Sequence, residues 1–488
     1  MKKILILGSG LVARPIIRYL LQKNFLVTVA SNTPDRALEM IDGNPNGTAV
    51  DWDASAESQL DAMIAAHDIT VSLLPFALHV GVAILCLKNR KNMVTTSYVK
   101  PEMKALDAAA REAGVILLNE LGLDPGIDHM SAMRIIDHIH HHEGAVLEFY
   151  SFCGALPAPE AADNPFKYKF SWSPKGVLMA GNNDGMYLRH GEIVKISTQD
   201  LFKNPILVEC PQLGTMEVYP NRDSLAYKEV YGIPETQTLY RGTFRNQGWC
   251  GLLDFMKQLG LFSYDPVDLT GMTYADFFSR QLAGGSWQEA QGTGHRAQST
   301  GHRAQNITHH LTTSPPHHLT TSPPHHLITS SPHHLITSSP HHLTTSSPHH
   351  LALKWLGLYD TALMNRSQAS PFDVVSDLMI GKMSLKEDER DMVVMQHTFL
   401  AGYSDGRKEV IRSRMLDFGI PGGDTSVART VALPAAIGVE MILNGEITAT
   451  GVHIPVIPEI YTPILNQLEA LGIRMEEEYG LPLSENIQ

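Results

Sequence analysis

The sequence opens with Met1-Lys-Lys-Ile-Leu-Ile-Leu-Gly-Ser-Gly-Leu-Val-Ala13, and this stretch decides the fold. It predicts a short buried strand that turns through Gly8 and Gly10 into a helix. The Gly-x-Gly-x-x-Ala pattern is typical of dinucleotide binding, because Gly8 permits a tight turn, Gly10 leaves room for a pyrophosphate and Ala13 lets the helix pack closely on the strand. Free N–H groups at the start of that helix then bind the phosphates.

Two other interpretations of the opening segment are an ordinary glycine turn and a secretory signal, since Lys2 and Lys3 precede a largely apolar run. A signal fits poorly, because two glycines interrupt the run and Arg14 and Pro15 follow it. Apolar residues at helical spacing come next, and a second apolar run at 25–30 lies at the distance expected of a strand–helix–strand unit. The context therefore favours a dinucleotide site and redox chemistry.

The end of the second strand indicates which nicotinamide cofactor binds. In an NAD-binding domain an acidic residue there accepts the ribose 2′-OH, whereas here no acid precedes Asp35. Neutral donors with Arg36 nearby favour NADP, and NAD stays open if Arg36 is only a solvated cation. Asp51 either faces the adenine end of the cofactor or simply ends the third strand. The residues expected to contact the cofactor in this region are Gly8, Ser9, Gly10, Leu11, Val12, Ala13, Ser31, Asn32, Thr33 and Asp51.

Composition argues against several classes of protein. The chain has 488 residues, enough for two or three domains, and its net charge of −13 argues against nucleic-acid binding. The four cysteines are scattered without metal-ligand spacing, so we expect no metal site and a reduced, cytoplasmic protein. No run of eighteen or more apolar residues exists, and we therefore expect no membrane span.

One segment differs from the rest of the chain. Residues 291–350 contain no Asp or Glu, and an octad of the type His-His-Leu-Thr-Thr-Ser-Pro-Pro occurs five times between His309 and Pro348. Regular proline and one apolar residue per octad predict a disordered insertion in a surface loop, because such a repeat builds neither a helix nor a packed face. The alternative is a histidine-rich metal tract.

The remaining sequence predicts two α/β domains. The first 120 residues alternate apolar runs with helical patterns, which is typical of a Rossmann doubly wound parallel sheet. Aromatic, turn-rich sequence after Gly126 predicts a second α/β domain with a mixed sheet. The expected divisions are 1–125 for dinucleotide binding, 126–290 and 351–424 for the two parts of the second domain, 291–350 for the insertion, and 425–488 for a C-terminal helical segment that returns to the first domain.

Several long motifs resemble one known family. They include Asn119-Glu-Leu-Gly-Leu-Asp-Pro-Gly-Ile-Asp-His129, Phe152-Cys-Gly-Ala-Leu-Pro-Ala-Pro-Glu160, Tyr219-Pro-Asn-Arg-Asp-Ser224 and Arg241-Gly-Thr-Phe-Arg245. Together they are similar to saccharopine dehydrogenases of the glutamate-forming type, over nearly the whole chain except the repeat. The resemblance implies an NAD(P)-dependent oxidoreductase of lysine metabolism that interconverts saccharopine with L-glutamate and 2-aminoadipate 6-semialdehyde through an imine. It also implies that the second domain serves for substrate binding and dimerisation, so that the protein is a homodimer.

The resemblance places Arg222 and Arg245 on the carboxylates of the substrate, with Thr243 beside them. Guanidinium groups suit three carboxylates because each can bind a carboxylate through two hydrogen bonds. The alternative for each arginine is a surface ion pair. Arg241 either assists them or braces its loop.

The resemblance also gives three candidates for proton transfer, Tyr98, Asp124 and Cys153. Asp124 either meets the substrate amine or caps the next helix from an Asp-Pro-Gly turn. Tyr98 either touches the ligands or is a half-buried aromatic, and Cys153 is either an acid–base thiol or an inert buried cysteine. Ser97 is expected to contact both substrate and cofactor. The residues expected to complete the cofactor site are Leu74, Pro75, Thr96, Ser97, Leu123 and Asp124.

Two other functions stay open at this point. One is imine reduction of the carboxynorspermidine type, by a relative in the same superfamily. The other is a nucleotide-binding scaffold without catalysis, since the insertion splits the second domain. The motifs that carry the expected ligands are intact on both sides of the insertion, which favours the enzyme.

Overall fold

A computed structural model describes residues 1–284 and 347–487 of the chain. Residues 291–346 of the predicted insertion lie outside this part. The predicted end of the insertion at 350 is wrong, because the helix Pro348–Leu356 begins inside the last octad. Ser347 caps this helix by accepting the N–H of His350, and Pro348 occupies its first turn, where a missing N–H costs no hydrogen bond.

The first domain is a parallel sheet covered by helices. Its strands are β1 (Lys3–Leu7), β2 (Leu26–Ser31), β3 (Gly47–Asp51), β4 (Ile69–Ser72), β5 (Asn92–Thr95) and β6 (Ile116–Leu118). Its helices are α1 (Ala13–Gln22), α2 (Pro34–Ile41), α3 (Glu57–Ala66), α4 (His79–Lys88), α5 (Pro101–Lys104) and α6 (Asp107–Ala113). The strand order 6-5-4-1-2-3 confirms the predicted doubly wound fold. Ile4 to Leu7 of β1 are fully buried, which is why this strand is a continuous apolar run.

The second domain contains a nine-stranded mixed sheet, as predicted. The remaining strands of the chain are β7 (Gly144–Pro157), β8 (Gly185–Arg189), β9 (Glu192–Ile196), β10 (Ile206–Cys210), β11 (Gly214–Pro220), β12 (Thr238–Asn246), β13 (Val267–Asp268), β14 (Gln368–Ala369), β15 (Asp391–Tyr403), β16 (Lys408–Phe418), β17 (Gly451–His453) and β18 (Glu476–Leu481). The sheet runs β10-β11-β12-β7-β15-β16-β18, and the β8–β9 hairpin is attached to β12. Strand β12 is parallel to β7, and the other described pairs of this sheet are antiparallel.

The remaining helices connect and cover the two sheets. They are α7 (Ile127–His141), α8 (Pro174–Ala180), α9 (Tyr227–Val230), α10 (Trp249–Gln258), α11 (Tyr274–Gly284), α12 (Pro348–Leu356), α13 (Pro371–Lys382), α14 (Ser426–Asn444) and α15 (Pro458–Ala470). Helix α7 follows the linker between the domains, so its first turn lies at their junction.

The C-terminal segment returns to the first domain, but it is not helical throughout as predicted. Helix α14 packs against α1, and the Arg14 Nε lies 2.5 Å from a carboxylate oxygen of Asp424 just before α14. Strand β17 extends the first sheet beside β6, whereas β18 pairs with β16 in the second sheet. The segment therefore joins both sheets.

One helix is long and apolar enough to cross a membrane by length and composition. This helix is α14, with 19 residues and a mean hydropathy of 1.5 over its most apolar window. Of that window, 72% is buried inside the protein, as in the core helix of a folded domain.

Candidate active site

The glycine turn after β1 provides an open cradle. Gly8 has a φ of +105°, a conformation that side chains rarely adopt, and a Cβ there would lie 3.2 Å from a backbone oxygen of the loop after β4. Gly10 has nothing within 4 Å of the place that a Cβ would take. Leu11 and Val12 continue the turn, and Ala13 begins α1 fully buried. The space above Gly10, at a helix N-terminus, fits a pyrophosphate.

Three hydroxyl groups meet beside this turn. Ser9 Oγ lies 2.8 Å from Ser31 Oγ and 2.9 Å from Thr33 Oγ1. Asn32 is exposed in the loop after β2, and Arg36 is exposed in α2, the helix that follows this loop. Because the end of β2 carries neutral donors instead of a carboxylate, it does not repel a 2′-phosphate, and these residues fit NADP.

The other predicted cofactor residues follow further strands of the first sheet. Carboxyl ends of parallel strands share one edge, so these residues lie along the edge that carries the glycine turn. Asp51 ends β3, Leu74 and Pro75 follow β4, Thr96 and Ser97 follow β5, and Leu123 and Asp124 lie in the linker after β6.

Ser97 is held by a buried histidine. His79, which is 4% exposed, shares hydrogen bonds of 2.8 Å with Ser97 Oγ and with Ser72 Oγ. Burial lowers the pKa of His79 to about 4, so the ring is neutral at neutral pH and offers one donor and one acceptor. The Ser97 hydroxyl is thus bonded to His79. Ser97 is not among the residues that line the cavity described below, which differs from its predicted contact with the substrate.

Replacing His79 with asparagine should change how stability depends on pH. The folded pKa of His79 lies below its ordinary value of 6.5, so the unfolded chain takes up this proton first as the pH falls. Between about pH 7 and 5, we expect the free energy of unfolding of the wild type to fall by roughly 2 kcal/mol more than that of the variant. Denaturant titrations at several pH values measure this difference, and equal slopes would contradict it.

A cavity of about 350 Å³ lies where the two domains meet. The first domain and the linker contribute one wall, strands β7, β11 and β12 contribute another, and α14 closes a side. The predicted residues that line the cavity are Thr96, Tyr98, Leu123, Asp124, Cys153, Arg222, Thr243 and Arg245.

Asp124 is the centre of a hydrogen-bonded cluster in this cavity. Its Oδ1 accepts the Tyr98 hydroxyl at 2.8 Å and the Arg241 Nη2 at 2.5 Å. Arg241 Nη2 also lies 3.0 Å from Asp128 Oδ2, and Asp128 Oδ1 accepts the N–H of Gly126. Asp124 therefore pairs with Arg241 and does not cap α7. Among the described residues, none donates a hydrogen bond to its second oxygen, Oδ2.

Arg241 is a functional residue that the sequence prediction left undecided. Its side chain is 5% exposed, it pairs with two aspartates, and its guanidinium lies 4.0 Å above the Tyr227 ring. A signal was available in the sequence, because side chains two positions apart share one face of a strand. Arg241, Thr243 and Arg245 therefore point to the same face of β12.

Arg245 is a buried cation without a carboxylate partner among the described residues. It is 4% exposed, and its Nη1 donates to the Phe244 carbonyl while its Nε has no partner. Its guanidinium lies 5.0 Å from the Tyr168 ring centroid. Its neighbour across the sheet, Glu217, instead accepts backbone N–H groups at the start of α10.

Arg222 is the second cation of the cavity. It is exposed, it has a φ of +55°, and within residues 1–284 and 347–487 it forms no ion pair. Its backbone carbonyl accepts the N–H of Met186, which fixes the loop after β11. The two arginines that the resemblance assigned to carboxylates therefore line one cavity, and neither is in the surface ion pair that was the alternative.

Cys153 lines the cavity but is poorly suited to proton transfer. It is 8% exposed, and burial, followed by the charge of Asp124, raises the pKa of its thiol well above the ordinary value. The structure therefore supports the alternative of an inert buried cysteine rather than an acid–base thiol.

Substitution of Cys153 by serine should leave turnover within about threefold of the wild type, because no thiolate forms near neutral pH for the reaction to use. The measurement is kcat as a function of pH for both proteins. A loss of about a hundredfold, the size expected on removal of a general acid or base, would contradict this prediction.

Other lining residues were missed by the sequence prediction. Tyr219 and Asn221 belong to the quoted motif at 219–224 but had no assigned role, and Trp172 lies outside the quoted motifs. Val427 and Val431 come from α14, far along the chain, and no local pattern links them to this cavity.

The described residues contain no group of three or more His, Cys, Asp or Glu side chains that could hold a metal ion. All four cysteines are buried and free.

A doubly wound sheet with a phosphate cradle, facing a cavity with two arginines that form no ion pair among the described residues, defines the class of dinucleotide-dependent oxidoreductases. Residues 4–118 match the profile of the saccharopine dehydrogenase NADP binding domain, and residues 122–473 match that of the saccharopine dehydrogenase C-terminal domain. The chain belongs to the saccharopine dehydrogenase family.

Relatives agree over nearly the whole chain. The saccharopine dehydrogenase (NADP⁺, L-glutamate-forming) of Schizosaccharomyces pombe is 34% identical over 98% of this chain and 99% of its own length. The Saccharomyces cerevisiae protein of the same name is 33% identical over 99% of both chains. The bovine mitochondrial alpha-aminoadipic semialdehyde synthase is 34% identical over 97% of this chain, which corresponds to 47% of that relative.

A solved structure shows the same fold. The apo saccharopine dehydrogenase (L-Glu forming) of Saccharomyces cerevisiae has a TM-score of 0.79 and 30% identity, and the match covers 98% of this chain and 100% of that one. The predicted family, oxidoreductase class and NADP cofactor are thus confirmed.

Proposed function

We propose that this protein is a glutamate-forming saccharopine dehydrogenase, which interconverts saccharopine with L-glutamate and 2-aminoadipate 6-semialdehyde using NADP. The observation that carries the proposal is the buried guanidinium of Arg245, which lies in one cavity with Arg222 and Asp124. Among the described residues, Arg245 has no carboxylate partner and the Oδ2 of Asp124 accepts no hydrogen bond. Saccharopine has three carboxylates and one secondary amine, so it needs fixed cations and one nearby anion.

The charges at the junction of the two domains support a position for the substrate amine beside Asp124. Asp124 and Asp128 share the single guanidinium of Arg241, which leaves one net negative charge in this group. The free Oδ2 of Asp124 can therefore hold a protonated amine, while the two other arginines hold carboxylates. NADP⁺, when bound, supplies the hydride acceptor. Loss of a hydride and the amine proton gives an imine, and addition of water then breaks the C–N bond to release glutamate.

The test is turnover of purified full-length protein with saccharopine and NADP⁺, followed as NADPH absorbance. We expect turnover with saccharopine and less than about 1% of that rate with carboxynorspermidine, whose single carboxylate cannot pair with both arginines. Absence of saccharopine turnover with either nucleotide would refute the proposal.

The proposal extends to a homodimer in the cytoplasm that acts on small molecules, without nucleic-acid or membrane partners. The family likeness supports the dimer, the four free cysteines support a reducing compartment, and the charge of −13 argues against nucleic acid. Light scattering after gel filtration tests the dimer, and microscopy of a fluorescent fusion tests the location.

A further inference from the structure

Glu120 holds the segment that carries Tyr98 from both sides. The backbone N–H of Glu120 donates to the Ser97 carbonyl at 3.1 Å, and its side-chain Oε1 accepts the N–H of Val99 at 2.8 Å. Residue 120 is therefore bonded to the residues directly before and after Tyr98. Its backbone has a φ of +57°, and its surface is 7% exposed.

The other carboxylate oxygen of Glu120 reaches the second domain through a histidine. Glu120 Oε2 lies 2.8 Å from His129 Nε2 in the first turn of α7, and His129 Nδ1 lies 2.9 Å from the Tyr231 hydroxyl just after α9. His129 is fully buried and Tyr231 is 2% exposed. One chain of hydrogen bonds thus joins the Tyr98 segment, the linker and the second domain.

The neighbouring charges favour the protonated form of His129 in this chain of hydrogen bonds. Burial by itself lowers the pKa of His129, but the carboxylates of Asp128 and Glu120 outweigh it, and the pKa is raised. The ring of Tyr227 is stacked on His129 at 5.7 Å, and Arg241 lies over that same Tyr227 ring. The Tyr227 ring therefore lies between His129 and the guanidinium of Arg241, which pairs with Asp124.

We propose that Glu120 and His129 are positioning residues, which hold Tyr98 and Asp124 in register with the arginines of the second domain. Neither side chain lines the substrate cavity, so they act through Tyr98 and the linker. This inference rests on the proposed function for its kinetic consequences. The arrangement that they fix matters because small misplacements of reacting groups cost large factors in rate.

The test compares Glu120→Ala with Glu120→Gln. Alanine removes the acceptor for the Val99 N–H, whereas glutamine keeps an oxygen there. We expect Glu120→Ala to lower kcat with saccharopine about 30-fold and Glu120→Gln no more than about fivefold, with KM for NADP⁺ within about twofold in both. Equal kcat losses in the two variants, or no loss in either, would overturn the proposal.

A matched control exists elsewhere in the second domain. Glu235 Oε1 also accepts a backbone N–H, that of Val146 at 3.1 Å, and lies 3.4 Å from His140 Nε2, but it does not line the cavity. Glu235→Ala should leave kcat within about twofold. If Glu235→Ala lowers kcat as much as Glu120→Ala does, then loss of any glutamate that accepts a backbone N–H lowers kcat. That result would overturn the proposal.

Two further measurements cover the other outcomes. If Glu120→Ala does not fold, Tyr231→Phe removes one hydroxyl and should lower kcat about fivefold, and an unchanged kcat would overturn the proposal.

If the wild type does not turn over saccharopine, the proposed function fails, and hydrogen exchange still tests the positioning role of Glu120. Amide exchange at 97–99 should rise in Glu120→Ala and stay near the wild type in Glu120→Gln; equal exchange in all three proteins would refute it.

Discussion

Arg245→Met should lower kcat/KM for saccharopine about 1,000-fold while leaving the protein folded. The guanidinium is 4% exposed and has no carboxylate partner in the described chain, so a substrate carboxylate is the anion that it is placed to bind. Loss of a desolvated charge pair in a complex costs about 2–5 kcal/mol, which spans this factor. Because no buried acid loses a partner, we expect the melting temperature to stay level or rise.

Arg366→Met is the control for Arg245. Arg366 forms an exposed ion pair with Asp377, away from the cavity, and its loss should change kcat/KM less than about twofold. Steady-state kinetics with saccharopine varied at saturating NADP⁺ gives both values. If Arg245→Met keeps kcat/KM within about threefold of the wild type, Arg245 does not bind the substrate.

Gly10→Val should raise the dissociation constant of NADPH at least about 100-fold, which corresponds to roughly 3 kcal/mol. The place of a Cβ at Gly10 is empty, and the φ of Gly10 is not in the left-handed range, so the fold accepts a side chain there. That same space is the one into which the pyrophosphate fits. Fluorescence titration with NADPH measures the loss, and thermal unfolding without nucleotide measures the fold.

The control for Gly10 is Gly81→Val. Gly81 lies in α4, and a Cβ there also meets nothing within 4 Å, but it does not belong to the glycine turn. It should leave the dissociation constant within about twofold. Gly8→Val gives the opposite pattern, because its φ of +105° and the near carbonyl make the substitution unfavourable for folding itself. NADPH binding to Gly10→Val at wild-type strength would place the pyrophosphate elsewhere.

The fold was predictable because its signals are local. Strands β1, β2 and β4 of the first sheet consist largely of buried residues and alternate with helical patterns, and residues 4–7 are wholly buried, as the apolar run required. The C-terminal strands were not predictable. Strand β17 has three residues, and β18 carries several exposed acidic residues, so neither shows the pattern of a buried strand.

The site was predictable only in part. The resemblance named Arg222 and Arg245, but it could not show that one is exposed and the other buried, since burial depends on the packing of Tyr168 and other distant residues. The pairing of Arg241 with Asp124 joins residues 117 positions apart. Such contacts have no period in the sequence, although the alternation along β12 places Arg241 on the correct face.

The position of β17 has a consequence for biosynthesis. Residues 451–453 supply the strand that covers the free edge of β6, and α14 packs on α1. A ribosome that has translated only the first 125 residues has therefore made a nucleotide-binding half with one bare edge and one uncovered helix. Such a nascent chain stays incomplete until residues 451–453 are translated, more than 300 residues later, and chaperones that shield exposed strand edges have a long interval in which to act on it.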